Sequence, residues 1–519
     1  MNVAGPRHHV SSLIRHHPLP LLFAALALAE RIVFRQYTHR IWEDALITLT
    51  PVRNAWDGFG LTHHVSEPRV HSFTSPISVL VPLVGEGFGH GLFALELASL
   101  GACVAALAYA YRIGLKLGFR WWAQVLVLGY LSFDQLQVFF GMTGMETQIA
   151  TAAALANAYY LLSSRWWRLG LATGLGLLCR PEFTFWIVAL ALTLPFLSWR
   201  AIPRVALGAL AVAGPWFLFA TLYYGSPIPN TIVAKSLSGR IAFGAFPIDQ
   251  VLTHALAGWR DFAPFYEMFF AVNAPVGDPM LLACVLVLAT AALAGAILAV
   301  WNRDLRLVTI ALFVALFFVN RAGALVHSYF MWYLPPFMAL AIILAAHGLQ
   351  ALGRASAPVA ATVCLGLTLA YAAPLPWSLP LERAVQSRIE EGVRLRASVA
   401  LNGLMGPSDT AAMEPLGYTG WAARNKTIYD YPGLGSPTAV AALKGIKPSL
   451  AGLIDRLRPT YTLLRPSEAE QLRARYPDTS DSYTSVMRFD AAPGATPIRF
   501  AGYEYDTIDS AFTIYRRKD

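Results

Sequence analysis

Charge is what this 519-residue sequence has least of: Asp, Glu, Lys and Arg make up 14% of it, against about a quarter in a soluble domain. Hydrophobic residues account for 56%, and the mean hydropathy is +0.48. That balance excludes an ordinary water-soluble enzyme and implies a chain that crosses a lipid bilayer many times. The formal net charge of +9 would suggest nucleic acid in a soluble protein. Here the excess of Lys and Arg in cytoplasmic loops accounts for it, and no nucleic-acid partner is expected. Cysteine is scarce too: Cys103, Cys179, Cys284 and Cys364 are far apart and all lie in apolar runs. Neither a disulfide framework nor a cysteine zinc site fits that spacing. An internal repeat, a glycine-rich phosphate loop and a low-complexity tract are also missing.

Long apolar runs are what the sequence does have. Pro18 to Phe34, interrupted by Glu30 and Arg31, is about long enough to span. Ala27-Leu28-Ala29 resembles a signal-peptidase site, but the apolar run continues through Ile32, Val33 and Phe34, so an uncleaved first helix is expected. Further spans centre near residues 102, 129, 155, 173, 190, 213, 290, 313, 339 and 366, about eleven in all. Alternate connections carry Arg112, Lys116 and Arg120, then Arg165 and Arg168, Arg200 and Arg204, Arg303 and Arg306, and Arg354, which makes that side cytoplasmic. The opposite side then holds Glu43, Asp44, Glu146, Arg180 to Glu182, the loop from Gly225, and Arg321 to His327.

With an odd number of spans the polar tail joins them. In that tail Leu381 to Leu401 reads as an amphipathic helix carrying Arg383, Arg388, Arg394 and Arg396. Thr427 to Asp430, Tyr461 to Leu464, Met487 to Phe489 and Phe512 to Tyr515 read as short strands. The expected fold class is therefore a polytopic α-helical membrane protein with a small C-terminal α/β domain. Residues 1–379 form the transmembrane module with long outer loops at 35–90 and 225–278, and residues 380–519 form the extracytoplasmic domain.

The unusual polar residues fall in short motifs. Glu43 and Asp44 follow the first span directly, in a segment where Ile41, Ala45 and Leu49 share a helical face, Pro51 ends or kinks the helix, and Trp42 and Trp56 anchor it at headgroup depth. Two adjacent acids there suit a wet site at the membrane surface, although a solvated loop accounts for them equally simply. Glu146, in Gly141-Met-Thr-Gly-Met-Glu-Thr147, serves either as a site acid or as a favourable charge at a helix start. In Arg180-Pro181-Glu182 the two charges form either an ion pair or part of a site. Asn230 and Lys235 follow a proline-rich turn, and lysine suits phosphate as a point charge. His327, in Val326-His-Ser-Tyr-Phe-Met-Trp-Tyr333, binds substrate or simply caps a helix.

Together these pieces resemble the GT-C superfamily of polyprenyl-phosphate-sugar glycosyltransferases, and most closely its branch of terminal arabinofuranosyltransferases and pilin arabinosyltransferases. The matching stretches are Glu43-Asp-Ala-Leu-Ile47, Gly58-Phe-Gly-Leu61, Ser72-Phe-Thr-Ser-Pro-Ile77, Gly144-Met-Glu-Thr147, Arg180-Pro-Glu-Phe183, and Gly225-Ser-Pro-Ile-Pro-Asn-Thr231 with Ala234-Lys235. They cover about the first half of the chain. Glu414-Pro-Leu-Gly-Tyr418 and Asp430-Tyr-Pro-Gly-Leu434 are similar more loosely to pieces of the family's outer domain. Two departures stand out: Glu43 replaces the first of the family's paired aspartates, and Leu46 replaces its usual tyrosine.

The resemblance implies a membrane enzyme with an extracytoplasmic active site in the cytoplasmic membrane. It would take a sugar, arabinofuranose by the branch matched, from a polyprenyl-phosphate donor to a hydroxyl of a glycan, glycolipid or surface protein. Asp44 is the first candidate for the base, and Glu43 for positioning or metal binding. Arg180, Lys235, Arg321, Asn230, Glu146 and His327 are candidates for holding the donor. Glu43, Asp44, Glu146 and His327 could also supply ligands to a divalent cation, so the metal stays open. A lipid-linked glycan transporter or flippase is the alternative, with a glycan-binding scaffold behind it. The clustering of polar residues on one side, with no related halves, favours the enzyme.

Overall fold

In this computed structural model residues 18–237, 278–324, 331–491 and 508–518 are described. Every span centre expected from the sequence falls inside a helix. Among the described residues six helical stretches are long and apolar enough to cross a bilayer: Gly91–Lys116, Trp121–Met142, Pro181–Tyr224, Ala283–Trp301, Met331–Ala355 and Ala357–Leu404. The membrane part is built around helix Leu334–Ala355, which is buried over most of its length and packs against helices Trp121–Phe133, Thr147–Leu162, Asp278–Trp301 and Ala357–Ala372. Helix Pro18–Thr38 shows how the arginine in the first span is tolerated. Arg31 is fully buried and donates to the carbonyls of Leu131 and Ser132 at 3.0 and 3.1 Å and to Gln148 Oε1 at 3.0 Å. An intramembrane cation persists only with such partners.

Between the first and second long helices lies the segment on which the site is built. Helix Glu43–Trp56 continues past Pro51, which sits buried within it and does not end it. Its apolar residues Leu46 and Leu49 are covered by Tyr418, with Leu395 and Trp421 alongside, so the C-terminal domain rather than lipid closes over this face. Trp42 is likewise inside the protein. Its ring meets Phe139, Phe140 and Trp332 edge-on at 5.6–5.7 Å, which corrects the expectation of a headgroup anchor. Trp56 stays exposed and donates from its indole nitrogen to the Leu83 carbonyl at 2.9 Å.

The C-terminal part contains a five-stranded mixed sheet of order β2-β1-β3-β5-β4, with β1 Thr410–Met413, β2 Thr427–Asp430, β3 Tyr461–Leu464, β4 Tyr483–Asp490 and β5 Ala511–Arg517. β1 is parallel to β2 and β3, and β5 is antiparallel to β3 and β4. Each face has its own core. Val393, Ala397 and Leu401 pack with Ile428, Leu463 and Ile514 on one side; Leu443, Leu453, Ile454 and Leu472 pack with Leu464 on the other. The domain is entered through helix Leu375–Val385, a wide π-helical turn over Gln386–Leu395 and helix Arg396–Leu404. The helical membrane part with a C-terminal mixed sheet is the fold class expected from the sequence.

Candidate active site

One backbone hydrogen bond starts the assembly. The Trp42 N–H donates to the Thr143 carbonyl at 3.0 Å and so brings the Glu43-Asp44 helix start beside the Gly144-Met-Glu-Thr turn. Gly144 is in the left-handed region at φ 87°, and a Cβ there would strike that of Ala45. Only glycine meets both demands at once.

The other motifs close around these two. Tyr224 donates its hydroxyl to the Leu61 carbonyl at 2.7 Å while the Tyr223 hydroxyl accepts the Leu61 N–H at 3.0 Å, so the Gly58-Phe-Gly-Leu61 turn is pinned to the end of helix Ile202–Tyr224. The Asn230 N–H donates to the His71 carbonyl at 2.8 Å. Ser75, from the Phe-Thr-Ser-Pro stretch, donates to the Leu178 carbonyl at 3.4 Å, next to the end of helix Trp166–Cys179 where Arg180 follows.

Arg180 does not pair with Glu182 as one sequence alternative had it. Its Nη2 lies 2.7 Å from Glu146 Oε1 and donates to Thr147 Oγ1 at 3.1 Å, and its guanidinium stands 4.9 Å over the Tyr333 ring, with both charges buried. Among the described residues its Nε has no partner. Lys235, from helix Asn230–Leu237, is buried as well. Asp44 keeps part of its surface open although protein surrounds it deeply, the situation of a group lining a recess. Burial raises its carboxyl above the ordinary aspartate value; the fields of Lys235 and then Arg180 oppose the rise, and those of Glu146 and Glu414 add to it. Two cations and two further acids thus act on one carboxyl group.

The two adjacent acids have different surroundings. Glu43 accepts from Arg394 Nη2 at one oxygen and from the Gly417 N–H at 3.0 Å at the other, so it is engaged by the C-terminal domain. Gly417 lies against the Glu43 backbone with no room for a Cβ. Asn230 also turns toward that domain, its amide donating to the carbonyls of Gly433 and Leu434 at 2.8 and 3.1 Å. Asp430 closes the same turn: it accepts from the N–H groups of Leu434 and Gly435 and lies 3.3 Å from His64 Nε2. Arg321 lies in helix Leu305–Ala324, and His327 lies outside the described residues. Among the described residues no group of three or more His, Cys, Asp and Glu side chains is arranged to hold a metal ion. Glu43 and Glu146, two of the ligands considered for a cation, each face an arginine instead.

Glu414, Arg394 and Tyr333 were not foreseen as site residues. Glu414 stands in a stretch matched only loosely, and Arg394 read as one of four arginines on an amphipathic helix. A signal for Arg394 was present in the spacing Glu382, Gln386, Glu390, Arg394, a polar residue at every fourth position.

The fold, membrane helices with a C-terminal domain built on a mixed sheet, is shared with known structures. Among solved structures the chain is similar to ArnT from Cupriavidus metallidurans bound to undecaprenyl phosphate, at TM-score 0.54 and 13% identity over 95% of this chain and 97% of that one. It is similar also to the Archaeoglobus fulgidus oligosaccharyltransferase in complex with zinc and sulfate, at TM-score 0.54 and 12% identity over 91% and 72%. The archaeal oligosaccharyltransferase AglB from Archaeoglobus fulgidus in complex with an inhibitory peptide and a dolichol-phosphate gives TM-score 0.50 and 11% identity over 96% and 78%. At these identities the likeness is one of fold, and it singles out no branch within it. No family profile and no curated protein matches the chain.

Proposed function

We propose that the chain is an inverting glycosyltransferase that moves a sugar from a polyprenyl-phosphate donor to a hydroxyl of a glycan, glycolipid or surface protein outside the cytoplasmic membrane. The observation that carries the reading is the partly open carboxyl of Asp44 with the fields of Lys235 and Arg180 upon it. Two of the similar structures hold a polyprenyl-type phosphate, undecaprenyl phosphate in one and dolichol-phosphate in the other, which supports a lipid-phosphate donor. The motif resemblance supports arabinofuranose as the sugar.

In the proposed reaction Asp44 takes the acceptor hydroxyl's proton as that oxygen attacks the anomeric carbon from the face opposite the phosphate. The new glycosidic bond forms while the bond from that carbon to the phosphate oxygen breaks, and the lipid phosphate leaves with the electron pair. Lys235 meets its charge as a point cation, and Arg180, with its unpaired Nε, as a fork. Asp44→Asn keeps the shape and removes the proton acceptor, so transfer by purified protein should slow by about 10²–10⁴-fold with donor binding retained. Glu43→Gln is the control that separates the two acids. Near-normal turnover in both variants would end the proposal, as would a wild-type protein that leaves the donor intact, the outcome expected of a transporter or a scaffold.

A further inference from the structure

The residue that holds Glu43 belongs to a stripe that ordinary helix geometry would not keep together. Residues four apart on an α-helix drift by about 40° per step, so Glu382, Gln386, Glu390 and Arg394 would wind around the axis. The wider π-helical turn over Gln386–Leu395 rotates its residues the other way, and all four are buried on one side. π-helical insertions within α-helices are often found at functional sites, and this one runs over ten residues. Glu382 and Glu390 receive Arg40 at 3.0 and 2.7 Å. The second oxygen of Glu390 receives Arg394 Nη1 at 2.9 Å. Arg394 Nη2 then reaches both Glu43 and Asp509, the latter at 3.0 Å.

We infer that Arg394 is a positioning residue for the transfer reaction: it draws the Glu43 carboxylate against the C-terminal domain and leaves Asp44 as the only acid of the pair directed to the acceptor. Both oxygens of Glu43 are taken, one by Arg394 and one by the Gly417 N–H. Without the arginine a second carboxylate would stand loose beside Asp44, repel its negative form and raise the pH at which it can accept a proton. The planar fork of arginine touches Glu43, Glu390 and Asp509 together, which a lysine's single nitrogen cannot do.

The inference rests on the glycosyltransferase reading, and one experiment distinguishes their failures. Transfer from a polyprenyl-phosphate sugar is followed against pH with the full chain in detergent for wild type, R394M, R394K, E43Q and E43Q/R394M. R394M should lower kcat by about a hundredfold, the scale of a misplaced reacting group, with donor KM little changed and the acid limb of the pH profile moved upward. R394K should recover part of kcat, and it carries the same comparison if R394M does not accumulate as folded protein. In the E43Q background the arginine should matter little, since it acts through Glu43. An R394M or R394K profile that superposes on wild type, or a loss from R394M that multiplies undiminished onto E43Q, overturns the inference while the transferase reading stands. A wild-type chain that consumes no donor overturns both.

Discussion

Glu43 and Asp44 are neighbours in the chain and opposites in environment: one is held by an arginine and a backbone N–H, the other is half-buried with its carboxyl raised by burial. A base acts only when ionised, so the raised value implies a transfer rate that falls on acidification at a pH above the ordinary aspartate range. The acid limb of a kcat/KM profile measures this directly, and it should be lost in Asp44→Asn. The stability contribution has the opposite sense. The native state holds this proton more tightly than the unfolded chain, so the contribution from Asp44 is fully present below the unfolded value and declines as pH rises through the native one.

At the scale of elements, the long loop after the first helix is gripped from both sides. Its entry residue Arg40 is fully buried between Glu382 and Glu390, with the Phe139 ring 5.6 Å from its guanidinium. Arg40→Ala would take the buried guanidinium away from both Glu382 and Glu390, at a cost of about 3–5 kcal/mol. Thermal unfolding in detergent should show a lower midpoint for this variant, whereas Arg383→Ala, at an exposed arginine next to Glu382, should change little.

How much of this was legible in the sequence depended on how local the signal was. The apolar runs marked the helices because length and hydropathy are properties of single segments. β2, β3, β4 and β5 were visible through their β-branched and aromatic residues, but β1, Thr410-Ala-Ala-Met413, was not, because a short buried parallel strand shows neither alternation nor strong strand formers. The acids and cations of the first half were recognisable as motifs. That Arg180 would face Glu146 and Arg394 would face Glu43 was not, since each pair is set by packing between distant segments.

For the whole molecule, the arrangement of Lys and Arg is the ground for proposing that Glu43, Asp44 and the C-terminal domain lie outside the cytoplasmic membrane. The clasps between the loop and that domain fit a shared side: Arg424 pairs with Asp57, and Ser436 donates to Glu67 at 2.7 Å. A periplasm-active reporter fused after Asp519 should give signal, and one that works only in the cytoplasm should stay silent. The reverse result would invert the orientation and with it the compartment in which the acceptor is met.

Asp509 lies just before β5 and bonds both Arg394 and Arg465. It is also among the last of these groups to be synthesised, whereas Glu43 and Asp44 emerge early. While the ribosome is still extending the chain, the segment with these acids is already made, but the arginine beside them lacks one of its anchors until Asp509 and β5 follow. A chain truncated before β5 would therefore lack the Asp509 contact to Arg394, and with it part of what holds the arginine against Glu43.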